Sequence, residues 1–248
     1  MLRAFLLLSF ALTSYTSSAW QALDATRYRT FHPYMGTPIK VVYEGDILPA
    51  GDNSNRAPIE SEIKAKLAPL RGSPIVVIDI ESWYLLKNQV LVTNAARNAG
   101  WYLQVLTWAR QVLPGTKIGF FGLPASARYA YKWPSTFMVD YKKSVSLLSP
   151  VLSQVDAIFP DFYMWFKGSD VPNFQAVTLY VAKEFNKPII PFMWHRDPLT
   201  ETYLSNADIT NQCSWLKANS DGVAWWSKWV EVYEPTSTWY SAAKSCFN

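Results

Sequence analysis

"PIVVIDIESW", residues 74–83, closes a run of β-branched residues with two carboxylates, Asp79 and Glu81. Side chains alternate along a strand, so Ile75, Val77, Asp79 and Glu81 share one face while Val76, Ile78 and Ile80 share the other. A strand apolar on both faces belongs in a covered, parallel sheet. Its carboxyl end is where open α/β sheets and closed barrels alike place their ligands, and the two acids fall there.

Outward from this strand the chain alternates. "RTFHPY" (29–34) and "PIKVVYE" (38–44) read as short strands, and residues 45–58 as a turn-rich loop. Pro58 opens a helix with Ile59, Ile63 and Leu67 on one face. Residues 92–113 form a long helix with Ala99, Leu103, Leu106, Ala109 and Leu113 on one stripe, stopped by Pro114-Gly115. "KIGFFGLP" (117–124) is the next strand. A helical stripe follows through Met138, Tyr141, Val145, Leu148 and Leu152, which Pro150 is expected to kink or shorten. "VDAIFPDFY" (155–163) is a strand, "FQAVTLYVAKEF" (174–185) a helix and "KPIIPFMWH" (187–195) a strand. Ser205 with Asp208 forms a capped start for a helix running to Leu216. "DGVAWWSKW" (221–229) is the last clear strand, and "TWYSAAKSC" (238–246) a short terminal helix.

Six or seven strands separated mostly by helices favour a distorted TIM-type (β/α) barrel of seven or eight strands over a doubly wound sheet. No glycine-rich dinucleotide loop or Walker-type phosphate loop opens any of these helices, and no cofactor is expected. Neither internal repeats nor a linker divides the chain.

Composition narrows the class. Half of the 248 residues are hydrophobic, enough for one large core, and the net charge of +4 is scattered, with no Lys/Arg block to bind nucleic acid. Residues 1–19 have the form of a secretory signal, with Arg3, an apolar run from Ala4 to Leu12 and small residues up to Ala19. That run is too short for a stable membrane span. Residues 20–248 then read as a single, exported, monomeric catalytic domain. Cys213 and Cys246 suit one bridge in an oxidising compartment. A buried free thiol is the alternative for Cys213, which lies on an apolar stripe with Ile209 and Leu216. Two cysteines and two histidines, His32 and His195, are too few and too dispersed for a structural zinc site, and no metal is expected.

In a barrel the strand ends converge, bringing Asp79 and Glu81 together with "FFGLP", "FPDFYMW", "FMWHR" and "AWWSKW". Acids among aromatic rings suit glycosidic hydrolysis: an acid protonates the leaving oxygen, and rings stack on sugar faces. Asp79 and Glu81 are too close to work as acid and base on opposite faces of one sugar, so they read as a coupled pair. Glu81, longer and nearer the open end, is the general acid; Asp79, deeper, is expected to stay ionised. Asp161 is the competing nucleophile. With an N-acetylated sugar the substrate's own carbonyl oxygen can attack the anomeric carbon, with Asp79 on the amide nitrogen and Tyr163 on the carbonyl oxygen. His195, beside Arg196 and Asp197, has no serine elbow to serve and reads as non-catalytic.

The residues that carry this chemistry resemble the hyaluronidases, secreted glycoside hydrolases with a distorted barrel. "IDIESW" (78–83), "FPDFY" (159–163) and "GVAWWSKW" (222–229) are similar to that family's motifs and occur in its order. The resemblance implies Glu81 as acid, Asp79 as the carboxylate that positions an acetamido group, Tyr163 as its hydroxyl partner and Trp226 as the wall beneath it. Trp83, Tyr84, Asp161, Phe121 and Trp194 are the further substrate-binding candidates. The chain departs from the family at Ile80, Tyr84 and Ala125–Ala127, and it lacks the family's cysteine pattern. Grip on a uronic acid would fall to Arg128, Lys132, Lys167, Arg196 or Lys228. The expected partner is an N-acetylhexosamine-containing polysaccharide or oligosaccharide. An inactive glycan-binding protein of the same fold is the alternative.

Overall fold

The computed structural model describes residues 20–27, 36–48, 56–87, 90–125, 134–165, 170–228, 231, 238–244 and 246–247. The signal-like segment 1–19, the strand expected at 29–34, His32, Arg128, Lys132 and Lys167 lie outside them. Strands β1 (Gln21–Ala25), β2 (Thr37–Pro38) and β3 (Lys40–Tyr43) lead into helices α1 (Glu44–Ile47) and α2 (Glu60–Leu67). Then come β4 (Ile75–Asp79), a hairpin of β5 (Leu86–Lys87) and β6 (Val90–Leu91), α3 (Ala95–Val112), β7 (Lys117–Phe120) and α4 (Pro134–Leu152). Helix α5 (Asp170–Lys183), β8 (Phe192–Trp194), α6 (Asn206–Asn219), β9 (Gly222–Trp226) and α7 (Thr238–Lys244) complete the order.

This is an α/β fold built on parallel sheets. β4 lies between β3 and β7, with Val77 opposite Val41 on one side and Gly119 on the other. β9 lies between β1 and β8, with Ala224 opposite both Leu23 and Phe192. Two stretches join these sheets. Thr37 and Pro38 pair with β1, while Lys40–Tyr43, directly after them, pair with β4. Residues around 158–161 make parallel bridges to Phe121 on one side and to Ile189 and Phe192 on the other. The "VDAIFPDFY" segment thus occupies a strand position without forming a continuous strand.

The alternation read from residues 74–83 is present. Ile75 and Val77 join Leu23, Ile39, Phe159, Phe192 and Ala224 in one apolar cluster. Val76, Ile78 and Ile80 join the helices in another, with Ile63 and Leu67 of α2 and Val105 and Leu106 of α3. On β7 the inward position is Gly119, where a Cβ would lie 2.5 Å from the Phe159 ring. Only glycine leaves room for that ring, so the large side chain on one segment is matched by none on its neighbour.

Strand β1 went unread, because "QALDA" has no β-branched residue and directly follows the signal-like segment. Helix α4 continues through Pro150, which stands in its last turn; the missing N–H removes a bond from the helix end, not from its middle. Ser205 caps α6 as expected, its Oγ accepting the Asp208 N–H at 3.1 Å. Cys213 and Cys246 are joined in a disulfide, which removes the free-thiol alternative and ties α6 to the segment after α7. No described helix is long and apolar enough to cross a membrane.

Candidate active site

Tyr43, Phe121, Tyr163, Trp194 and Trp226 each stand at or just past the carboxyl end of a parallel segment, and they meet. Tyr163 stacks on Trp226 with ring centroids 5.6 Å apart and planes 26° apart. Trp194 meets Trp226 edge to face at 5.2 Å, and Phe121 lies 5.8 Å from Tyr163. The Trp226 indole N–H donates to the Tyr43 hydroxyl at 2.9 Å, which fixes the ring's orientation. Rings from 183 residues apart in the chain thus build one wall.

The acids belong to the same constellation. Burial first, then the charges of Glu81, Glu44 and Asp161, raises the Asp79 carboxyl well above its usual value. This reverses the expectation that Asp79 stays ionised: it is only 8 % exposed, and its environment favours the protonated form, whereas Glu81 is exposed. Asp79 Oδ1 is buried and makes no hydrogen bond. The Tyr163 hydroxyl is also held far above its ordinary pKa, by burial and then by Asp161 and Asp79, so it stays a neutral donor.

Three carboxylates fasten the site. Glu44 Oε2, at the start of α1, accepts the backbone N–H groups of Glu81 at 2.9 Å and Ser82 at 2.8 Å. Asp161 accepts the Tyr163 N–H at 2.9 Å through Oδ1 and the Trp165 indole N–H at 2.8 Å through Oδ2. With both oxygens engaged in holding the loop that carries Tyr163, Asp161 is placed to position that ring. Glu231 accepts from the Trp194 indole at 3.1 Å and the Lys228 backbone N–H at 3.0 Å. The same carboxylate meets His195 Nε2 at 2.7 Å and Arg196 Nε at 3.2 Å.

Trp83, expected to contact substrate, lines the cavity beside Glu81 with a side chain packed into the core. It is fully buried, its indole N–H donates to the Arg56 carbonyl at 3.0 Å, and it packs on Trp101 and Tyr102. The residue after Glu81 turns the chain over the end of β4, so Trp83 falls on the helical side. Tyr84 is 42 % exposed at the rim. Trp194 is 4 % exposed and forms part of the wall through its contacts with Tyr163 and Trp226. His195 is buried, stacked on Trp239 at 3.9 Å between centroids. Of the described cations, Lys228 lies 5.3 Å from the Trp194 ring and is paired with Glu201, and Arg196 is paired with Glu231.

Tyr43, Glu44 and Glu231 were missed. Tyr43 and Glu44 carry a readable signal, since they end "PIKVVYE" at the carboxyl end of a strand. Glu231 carries none, because its side-chain partners Trp194, His195 and Arg196 lie in another segment. Among the described residues no group of three or more His, Cys, Asp or Glu side chains could hold a metal ion.

Solved structures share this arrangement of the chain. The chain is similar to bee venom hyaluronidase, with a TM-score of 0.63 and 13 % identity over 84 % of this chain and 91 % of that one. It is also similar to bee venom hyaluronidase in complex with a hyaluronic acid tetramer, at a TM-score of 0.55 and 16 % identity over 77 % of this chain and 78 % of that one. At these identities the likeness is one of fold alone. No protein-family model and no curated protein matches the chain.

Proposed function

We propose that the chain is a secreted, single-domain glycoside hydrolase that cleaves glycosidic bonds next to N-acetylhexosamine, by a retaining, substrate-assisted route. In this reading the parallel pairings run from β1 through residues 37–43, β4, β7, 157–161, 189–194 and β9 back to β1, closing a distorted seven-stranded barrel. The observation that carries the chemistry is the orphaned Oδ1 of Asp79, buried near Tyr163 and the other acids. A buried polar atom without a partner costs on the order of 1–3 kcal/mol, and an acetamido N–H would satisfy it.

With that N–H on Asp79 and the Tyr163 hydroxyl on the acetamido carbonyl oxygen, the oxygen is held toward the anomeric carbon, with Trp226 as wall. A donor against Asp79 favours its anionic form, so the proton the coupled pair shares passes to Glu81. Glu81 gives that proton to the leaving oxygen while the carbonyl oxygen bonds to the anomeric carbon and the glycosidic C–O bond breaks. The resulting cyclic oxazolinium is opened by water, whose proton returns to Glu81. Two inversions retain the configuration. A neighbour of the same fold carries a hyaluronic acid tetramer, which supports a glycan substrate.

The signal-like residues 1–19 and the disulfide support export. Proton-resonance time courses with hyaluronan, chondroitin and chitin oligomers test the mechanism. Retention is expected on whichever polymer is cut, and an inverted first product overturns it.

A further inference from the structure

Beside Glu81 the strand-end surface opens into a cavity of about 190 Å³. Its walls include Tyr84, Leu85, Leu86, Leu123 and Leu148 together with the carboxylates of Glu81 and Asp161, the latter already engaged by Tyr163 and Trp165, and it meets the aromatic cleft at Phe121. Two other lining side chains have their polar atoms engaged elsewhere. The Tyr102 hydroxyl donates to the Ile80 carbonyl at 2.6 Å, and the Trp83 indole N–H donates to Arg56. Both therefore contribute hydrocarbon to the wall. On its leucine side a sugar would set hydroxyls against hydrocarbon, at a cost that an alkyl or aryl group avoids.

The position identifies the occupant. A general acid must lie within hydrogen-bond reach of the leaving oxygen, so whatever that oxygen carries away sits next to Glu81. We propose that this cavity is a leaving-group subsite for an apolar aglycone, a six-membered ring or a short alkyl chain, attached to an N-acetylated sugar. The volume is sufficient, since about 150 Å³ holds benzene in an enclosed apolar cavity. The inference rests on the assignment of Glu81 as acid, and it extends the substrate class from polymers to glycosides of apolar alcohols.

The test is calorimetric binding, together with turnover, of methyl and hexyl β-glycosides of an N-acetylglucosamine disaccharide, whose leaving alcohols are chemically alike. The hexyl glycoside is expected to bind at least about tenfold more tightly, because each buried methylene adds affinity. Leu86→Asn, at a half-buried position, and Tyr84→Ser, at the exposed rim, should each shrink that ratio in a chain whose circular dichroism is unchanged. A ratio near one overturns the subsite even if both glycosides are hydrolysed, which would leave the hydrolase reading standing. A large ratio without hydrolysis shows an apolar binding cavity but overturns its role as a leaving-group subsite. Failure to bind either glycoside overturns the subsite.

Discussion

Glu44 holds the backbone of Glu81: its Oε2 accepts the Glu81 N–H at 2.9 Å while also accepting the N–H of Ser82 at 2.8 Å. One carboxylate on α1 thereby fixes the direction in which the chain leaves β4. Charge-assisted bonds to backbone N–H groups are among the stronger kind. Glu44→Ala should lower stability by about 1–3 kcal/mol. It should also reduce kcat more than it raises KM, with Glu44→Gln recovering part of both. Steady-state kinetics and urea unfolding check this; a variant altered only in KM would contradict a positioning role.

Asp79 makes stability depend on pH in an unusual direction. Its folded pKa is raised above its usual 3.8, so the folded chain keeps a proton that the unfolded chain has released. Stability therefore falls as pH rises from about 4 through the raised value, the opposite of a salt-bridged carboxylate. Asp79→Asn removes that titration. It should be more stable than the wild type at neutral pH, equal to it in acid, and at least about tenfold less active. Urea midpoints across pH give the comparison, and a variant less stable than wild type at pH 7 would show that burying Asp79 carries no penalty.

Glu231 and His195 act in the familiar direction. Burial works to raise the Glu231 carboxyl, but hydrogen bonds from His195, the Lys228 backbone and Trp194 bring it down to about 2. Burial lowers His195 below 6.5 despite Glu231. Both folded values are depressed, so the unfolded chain takes up more protons as pH falls. Stability is lost first below about 6.5 and again from about 4.5 toward 2. Glu231→Gln should flatten the lower part of that loss. It should also raise KM about tenfold, because Trp194 loses its anchor beside Trp226 and Tyr163. Acid unfolding followed by tryptophan fluorescence reads the first effect; an unchanged acid limb would remove Glu231 from the clamp.

The disulfide closes 33 residues around α7, whose Trp239 covers His195. Reducing it, or replacing both Cys213 and Cys246 with serine, should cost about 2–4 kcal/mol. Thermal unfolding with and without reductant measures this, and an unchanged midpoint would show that the terminal segment is held by packing alone.

The β4 strand and both of its faces were legible in "PIVVIDIESW", because β-branched residues and strict alternation leave little choice of local structure. The helices α2, α3 and α6 were legible from stripes and caps, although on α3 the buried residues Tyr102 and Val105 lie one position away from parts of the stripe that was read. Strand β1 was not legible: its pairing with β9 depends on Gly222, where a Cβ would lie 2.2 Å from the Gln21 carbonyl oxygen. Such a close approach belongs to two segments at once. Trp83 shows the same limit, since it follows Glu81 by two residues in sequence but its neighbours in space are Trp101 and Tyr102. The upward shift of the Asp79 carboxyl comes mainly from burial, which spacing alone does not reveal.

The central claim is that Glu81 is the proton donor in glycosidic cleavage. Turnover of hyaluronan, chondroitin and chitin oligomers by residues 20–248, with Glu81→Gln beside the wild type, tests it most directly. The account predicts cleavage of at least one of these glycans by the wild type, and a rate at least about 10²-fold lower in the variant while glycan binding persists. Equal turnover by the two proteins, or no cleavage by the wild type, would contradict it.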